Sequence, residues 1–90
     1  MTESRADMVK RLRMRSMRRG IKEMDLILSA YADTHVADMS DDDLALYDQL
    51  LAENDHDIYG WIGGQFPVPD LYVGLIESIA AGAHGVTRPA

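Results

Sequence analysis

The sequence contains no cysteine, only three prolines and no long apolar stretch, and two of these absences exclude whole classes of protein. Without thiols the chain forms no disulfide and offers no thiolate to zinc or to a substrate. Its apolar runs are far shorter than the roughly 20 residues that a membrane-spanning helix needs, so we expect no membrane insertion. Apolar residues make up 47% and charged residues 27% of 90 residues, which predicts a single globular domain with one modest core.

Basic residues are nearly absent beyond residue 22. The first 22 residues hold eight of the nine Lys and Arg together with Glu3 and Asp7, whereas residues 23–90 hold thirteen acids and one base, Arg88. Such a dipolar chain suits a partner that has patches of both signs. Phosphate would be repelled by the acidic three-quarters of the chain, and the basic segment has no aromatic residues between its charges, so we expect no nucleic-acid partner.

The arginine-rich start invites three other interpretations. A secretory signal peptide is excluded because residues 1–22 contain no continuous apolar region. A mitochondrial presequence is similarly rich in arginine, but Glu3 and Asp7 argue against one because such peptides are poor in acids. The remaining interpretation is a solvated, positive helix face.

Apolar residues recur with helical spacing along the chain and nowhere alternate as in a strand. We therefore predict an all-α fold, a five-helix bundle forming a single domain over residues 1–81, with a flexible C-terminal tail over residues 82–90. The helix signals are a cap at Ser4 with an end near Arg18, a glycine stop at Gly20, an apolar stripe over 22–35, caps at Ser40 and at Asn54 or Asp55, a stop at Gly63 and Gly64, and a last start near Asp70.

Three further expectations concern burial and backbone conformation. Gly20 is expected to adopt a positive φ, as glycines that end helices often do. Trp61, the only tryptophan, is expected to have a largely buried ring whose edge reaches the surface, where it can anchor either the core or a partner. The residues that we expect to be buried are Leu28, Tyr31, Leu50, Leu51, Ile62, Leu75 and Ile76.

No arrangement of residues indicates catalysis or metal binding by this chain alone. Asp41, Asp42 and Asp43 are consecutive, so on a helix their side chains point about 100° apart, and they lack the alternate spacing of a calcium loop. They are better explained as a capped helix start that meets the positive end of the helix dipole. His56 and Asp57 form an isolated pair of a common kind. We expect neither an enzyme nor a metal site.

Two blocks of the sequence form a recognisable pattern. The first is "RRGIKEMDLIL", with Arg19, Gly20 and Glu23 spaced as Arg-Gly-x-x-Glu and Asp25 behind them, and the second extends from "SDDD" to "DIYGWI". Both resemble the FAD assembly factors of succinate dehydrogenase, the family of succinate dehydrogenase assembly factor 2, and the first is similar to that family's signature. The matching positions of the second block are Ser40, Asp41, Asp42, Leu50, Leu51, Asp57, Ile58, Tyr59, Trp61 and Ile62. The segment from Gly63 to Phe66 departs from the family's pattern, which leaves the shape of the connection between helices 4 and 5 open.

The resemblance implies an assembly chaperone rather than an enzyme. Such a protein binds the flavoprotein subunit of succinate dehydrogenase, and in bacteria that of fumarate reductase, and promotes the covalent attachment of FAD to it. FAD would then be the cofactor of the partner, with none bound tightly by this chain. The implied location is cytoplasmic in a bacterium and the mitochondrial matrix in a eukaryote. The partner-binding residues would be Arg19, Gly20, Glu23, Asp25 and Trp61.

A different class of function also stays open. The family has carried an older description as the antitoxin of a toxin–antitoxin pair, so a regulatory binding module, either antitoxin-like or nucleic-acid-binding through the basic first helix, is the alternative. Gly20 could be a plain helix cap, with Glu23 merely meeting a helix dipole. With the resemblance, we instead expect a docking surface at which Arg19 offers a fork of donors and Glu23 a carboxylate.

Overall fold

Helices make up the whole regular structure of this computed structural model, which describes residues 3–87 and the side chains of residues 3–83. Within those residues there is no strand, which confirms the all-α prediction. The elements, with two short 3-10 turns, are α1 (Arg5–Arg15), α2 (Lys22–His35), the turn Val36–Asp38, α3 (Asp41–Leu51), α4 (Asp55–Ile62), the turn Asp70–Tyr72 and α5 (Val73–Thr87).

Three helices begin at polar caps, two of which, Ser4 and Ser40, the sequence identifies, while for the third it leaves Asn54 and Asp55 as alternatives. The side chains of Ser4, Ser40 and Asn54 each accept a hydrogen bond from a backbone N–H of the following turn, at 3.1, 3.1 and 2.8 Å. Each bond satisfies a donor that the start of a helix leaves without a partner. These caps fix where α1, α3 and α4 begin.

The end of α1 differs from the prediction. The helix ends at Arg15 rather than near Arg18, and the buried Ser16 follows it, donating to the carbonyl oxygen of Leu12 at 2.8 Å and lying 2.6 Å from the hydroxyl of Tyr47. Arg18, not Gly20, adopts the positive φ, at 56°. The expectation of a positive φ at Gly20 is therefore wrong, because Arg18, whose N–H is bonded to Asp25, supplies the left-handed residue of this connection two positions earlier.

The core lies around α2, which packs chiefly against α5 and also contacts α1. Of the seven residues expected to be buried, Ile62 and Leu75 are only half-buried, while the other five are buried. The two exceptions line the edge of the core, where they pack against it without being covered on their outer side. The buried side chains of the core are Leu12, Met24, Ile27, Leu28, Tyr31, Ala32, Val36, Leu44, Tyr47, Leu50, Leu51, Ile58, Tyr72, Ile76, Ile79 and Ala83.

The last helix is longer than predicted. It continues to Thr87, so residues 82–87 are helical where a loose tail was expected, and residues 88–90 lie outside the described residues. Ala83 is 9% exposed and packs in the core one turn after Ile79. This packing extends the helix past Gly82 into a segment in which the sequence shows no apolar periodicity.

The connection between α4 and α5 begins with a tight turn in which one carbonyl group accepts two hydrogen bonds. The oxygen of Gly60 accepts from the backbone N–H groups of Gln65 and Phe66, at 2.8 and 3.3 Å. Gly64 has a φ of 77°, which a glycine adopts without strain. The ring of Phe66 lies directly on Gly60, where a Cβ atom would come within 2.1 Å of it. A glycine at position 60 is thus required by this close approach.

The arginines of the first helix are turned towards acids of the rest of the chain, which corrects the expectation of a freely solvated positive face. The ion pairs are Arg5–Asp41 at 2.7 Å, Arg11–Glu3 at 2.9 Å, Arg11–Asp48 at 2.8 Å, Arg13–Asp33 at 2.9 Å, Arg19–Asp55 at 2.6 Å, and Arg15–Asp48. Three of these pairs, those of Arg5, of Arg13 and of Arg11 with Glu3, are exposed, so each of the three contributes little stability alone. Together the ion pairs neutralise much of the basic charge that the sequence concentrates at one end.

Candidate functional site

The candidate site is the segment that joins α1 to α2, together with the first turn of each of α2 and α4. Gly20 and Glu23 are exposed there, whereas Arg19 and Asp25 are half-buried. Trp61 lies near the far end of α4. The structure therefore brings four of the five candidate residues together and places the fifth elsewhere.

Arg19 is occupied by bonds within the chain. Its guanidinium donates to Asp55 Oδ1 through Nε at 2.9 Å and Nη2 at 2.6 Å, and to the carbonyl oxygens of Arg15 at 2.9 Å and Leu51 at 3.1 Å. The side chains of Arg19 and Asp55 are only 12% and 17% exposed. Arg19 thus clamps the α1–α2 connection to the junction of α3 and α4, and the expected free fork of donors is absent.

Gly20 is held by the same carboxylate. Its backbone N–H donates to Asp55 Oδ2 at 2.7 Å, so the two oxygens of one aspartate fix two consecutive residues of the connection. A Cβ atom at position 20 would lie 3.3 Å from that oxygen, which is tight but requires a shift of only a few tenths of an ångström. The glycine lets the connection pass close to Asp55 while leaving its outer side bare.

Asp25 closes the connection from the other end. Its carboxylate accepts a 2.7 Å hydrogen bond from the backbone N–H of Arg18 and a 3.3 Å bond from the hydroxyl of Ser29. The first bond supports Arg18 in a left-handed conformation that costs a residue with a side chain roughly 1–2 kcal/mol. Asp25 is therefore bonded inside the connection rather than presented to solvent.

Glu23 is the one candidate whose charge is free. It is exposed in the first turn of α2 and makes no hydrogen bond or ion pair with the other described residues. The residue before this helix is Ile21, whose side chain cannot cap it, and no described side chain accepts a hydrogen bond at this helix start. A free carboxylate and uncapped amide donors thus lie in the same turn, close to the exposed Gly20.

Trp61 belongs to a separate aromatic pair with Tyr72. Its side chain is half-buried, the centroids of the two rings lie 5.7 Å apart, and the planes of the rings are tilted by 33°. The hydroxyl of Tyr72 donates to Glu53 at 2.8 Å, and burial raises the pKa of Tyr72 to about 12. Trp61 follows Asp55 by six residues, which places it about 120° around the helix. The partly exposed Tyr59, four residues after Asp55, instead lies on the same face of α4 as Asp55.

Asp55 is the residue of this site that the sequence does not reveal as part of it. In the sequence it is one of two candidates for capping α4, and the cap is in fact Asn54. Its partners Arg19 and Gly20 are 36 and 35 residues away, a separation over which no local pattern acts. The only feature of the sequence that could have indicated this role is that Asp55 is an acid in the first turn of a helix. A favourable interaction with the helix dipole explains an acid at that position equally well.

Neither a metal site nor a membrane-spanning helix is found in the described part of the chain. No three His, Asp or Glu side chains there are grouped so that they could hold a metal ion. None of its helices combines the length and apolar character that crossing a bilayer requires.

Comparison with known proteins identifies relatives over most of the chain. Residues 10–81 match the family model described as "Flavinator of succinate dehydrogenase". Succinate dehydrogenase assembly factor 2, mitochondrial, of Meyerozyma guilliermondii is 45% identical over 73 residues, which cover 78% of this chain and 54% of the relative. The protein of the same name from Drosophila grimshawi is 42% identical over 64 residues, 69% of this chain and 44% of the relative. The 2-A form from Drosophila yakuba is 39% identical over 84 residues, which cover 87% of this chain and 52% of the relative. The chain spans about half the length of these relatives.

Proposed function

The chain belongs to the family described as the flavinator of succinate dehydrogenase, and from this premise we propose that it is an assembly chaperone for the flavoprotein subunit of that enzyme. It binds the subunit and promotes the covalent attachment of FAD to it, without acting as an enzyme itself. FAD is the cofactor of the partner in this proposal. The flavoprotein of fumarate reductase is a second partner of the same kind.

The observation that supports this function best is an exposed surface formed by Gly20 and Glu23, here called the seam, on a connection whose backbone conformation is fixed. Arg19, Asp25 and Asp55 fix that backbone because their polar groups make hydrogen bonds within the chain. A surface whose conformation is set before binding loses little entropy when a partner docks. The carboxylate of Glu23 and the uncapped amides at the start of α2 are then the groups that contact the flavoprotein.

In this proposal the five candidate residues have different roles. Glu23 contacts the partner directly, and Gly20 lets the partner approach the backbone closely. Arg19 and Asp25 act through the connection by keeping it in the binding conformation. Trp61 is an additional aromatic anchor on α4, supported by its half-exposed ring beside Tyr72.

The chemical step takes place on the partner. A chaperone of this kind holds the domains of the flavoprotein so that FAD and the histidine that becomes linked to it are aligned. Proximity and orientation of this kind can lower a barrier by several kcal/mol without a catalytic group from the chaperone. The relatives are named mitochondrial, and we propose that the chain acts where the flavoprotein folds, which is the matrix in a eukaryote and the cytoplasm in a bacterium.

Complementation tests the function. The gene is deleted in its native cell, and covalent flavin on the succinate dehydrogenase flavoprotein is measured by in-gel fluorescence with and without a plasmid copy. We expect the flavin signal to fall on deletion and to return with the plasmid, and a tagged copy to retain the flavoprotein in a pull-down. Undiminished covalent flavin after deletion, with no flavoprotein retained, would exclude the proposal.

A further inference from the structure

A groove of about 430 Å³ opens at the end of the molecule away from Gly20. It lies between the end of α2, the following turn, α3 and the start of α5. Its lining includes His35, Met39, Leu46, Leu71 and Leu75. Glu23 and His35 are twelve residues apart on α2, or roughly 18 Å along the helix axis, so the groove is separate from the docking seam.

The floor of the groove is apolar and firmly built. Met39, Leu46 and Leu75 are half-buried against the core, and Leu71 is 54% exposed beside them. At one end Tyr31 and Ser78 join α2 to α5 through a 2.9 Å hydrogen bond between their hydroxyls. These aliphatic side chains form a surface that gains from contact with another apolar group.

The acids that line the groove differ from the acids that face the first helix. Asp33, Asp41, Asp48 and Asp55 are each paired with an arginine from residues 1–22. Asp38 and Asp43 in the groove have no such partner among the described residues, although both are exposed. Arg5 does approach this side, donating to the carbonyl oxygens of Ala37 at 3.3 Å and of Met39, but its ion pair is with Asp41. Asp38 and Asp43 therefore keep uncompensated carboxylates in the lining of the groove, which favours a positively charged ligand.

Gly74 keeps the wall of the groove open. It lies in α5, where glycine costs about 1 kcal/mol relative to alanine, and no atom lies within 4 Å of the position that a Cβ would occupy. Packing against the rest of the chain therefore does not require a glycine here. The missing side chain instead leaves space in the lining of the groove.

From this arrangement we propose that the groove binds a polypeptide segment of a partner protein in which aliphatic side chains are flanked by Lys or Arg. The aliphatic groups pack on Leu46, Leu71 and Leu75, and the basic groups pair with Asp38 and Asp43. The volume accommodates two or three side chains and lies within the usual range of ligand pockets. This site is independent of the proposed function, because its residues are distinct from those of the Gly20 seam.

Peptide binding to the full chain tests the proposal without any flavoprotein. The probes are the peptide acetyl-Ala-Lys-Leu-Leu-Arg-Ala-amide, a version with both basic residues replaced by Glu, a version with both leucines replaced by Ser, and spermidine. Binding is followed by amide chemical shifts of the labelled protein. We expect the first peptide to shift the signals of Gly74, Leu75 and Ser78, and the other three probes to bind at least roughly tenfold more weakly.

Two sets of variants locate the binding. Gly74→Leu fills the groove and should abolish the shifts, whereas Gly82→Leu, on the same helix and equally open, should retain them. Asp38→Asn and Asp43→Asn leave the packing intact and should each weaken binding roughly twofold to fivefold. The proposal is overturned if the peptide does not bind, if its shifts lie elsewhere or persist in Gly74→Leu, or if spermidine binds as well as the peptide. It is also overturned if the groove signals change on dilution of the free protein, since a second copy would then be the occupant.

Discussion

The carboxylate of Asp55 accepts a 2.7 Å hydrogen bond from the backbone N–H of Gly20. Its other oxygen holds the guanidinium of Arg19, so one side chain at the start of α4 determines the path of the chain between α1 and α2. The signature that resembles the assembly-factor family thus contains two kinds of residue. Arg19 holds the connection in place through bonds within the chain, and Glu23 is exposed to solvent on its outer side.

Replacing Asp55 tests the clamp. Asp55→Ala leaves the half-buried guanidinium of Arg19 without its ion pair and the N–H of Gly20 without its acceptor. We expect the free energy of unfolding to fall by about 2–3 kcal/mol, as for other hydrogen bonds to partly buried charged groups, measured by urea denaturation. Asp41→Ala is the matched control, because Asp41 also pairs with an arginine but its side chain is 90% exposed. Its cost should stay below about 1 kcal/mol, and equal losses in the two variants would argue against the clamp.

Substitutions of Gly20 distinguish steric blocking of the docking surface from strain in the folded protein. Since its φ is ordinary and a Cβ would touch only Asp55 at 3.3 Å, both Gly20→Ala and Gly20→Arg should change the free energy of unfolding by less than about 1 kcal/mol. Flavinylation should persist largely with alanine and be lost with arginine, because only the long side chain covers the seam. The measurement pairs a melting curve with the covalent flavin of the flavoprotein. A loss of activity that follows a loss of stability in both variants would show that strain, not obstruction, is responsible.

Acid should destabilise the protein through Asp48. Hydrogen bonds from Arg11 chiefly, with the charges of Arg11 and Arg15, hold the pKa of Asp48 below its usual value near 3.8. The unfolded chain then binds more protons than the folded protein, so this contribution to stability is present above about pH 4 and is lost as the pH falls further. Asp48→Asn should make the urea midpoint decline less steeply below about pH 4. Equal slopes in the wild type and in Asp48→Asn would refute the role of Asp48.

The helix boundaries that the sequence predicts well are those with a local chemical cause. Ser4, Ser40 and Asn54 begin helices because their side chains accept bonds from the next turn, and an acceptor two or three residues before its donor can be read from one segment. The apolar stripe of α2 is predicted for the same reason, because its residues recur at helical spacing within one segment. The resemblance to the assembly-factor family is likewise confirmed by the match over residues 10–81.

Contacts between distant segments are what the sequence does not reveal. Arg18 adopts the left-handed conformation because Asp25 accepts its N–H, and Arg19 turns inward because Asp55 lies there in the fold. Ala83 extends α5 because it reaches the core. In each case tertiary packing decides a conformation that local propensity leaves open or assigns elsewhere.

Glu23 provides the most direct test of the docking seam. Glu23→Ala removes an exposed carboxylate with no partner among the described residues, so the free energy of unfolding should change by less than about 1 kcal/mol. Asp42→Ala is the matched control, since Asp42 is likewise an exposed acid in the first turn of a helix. Both variants are expressed in the strain that lacks the gene, and covalent flavin on the succinate dehydrogenase flavoprotein is measured beside a melting curve of each protein. We expect Asp42→Ala to support flavinylation as wild type does and Glu23→Ala to lose at least roughly nine-tenths of it, which corresponds to about 1.4 kcal/mol of lost interaction. A folded Glu23→Ala protein that supports full flavinylation would contradict the account.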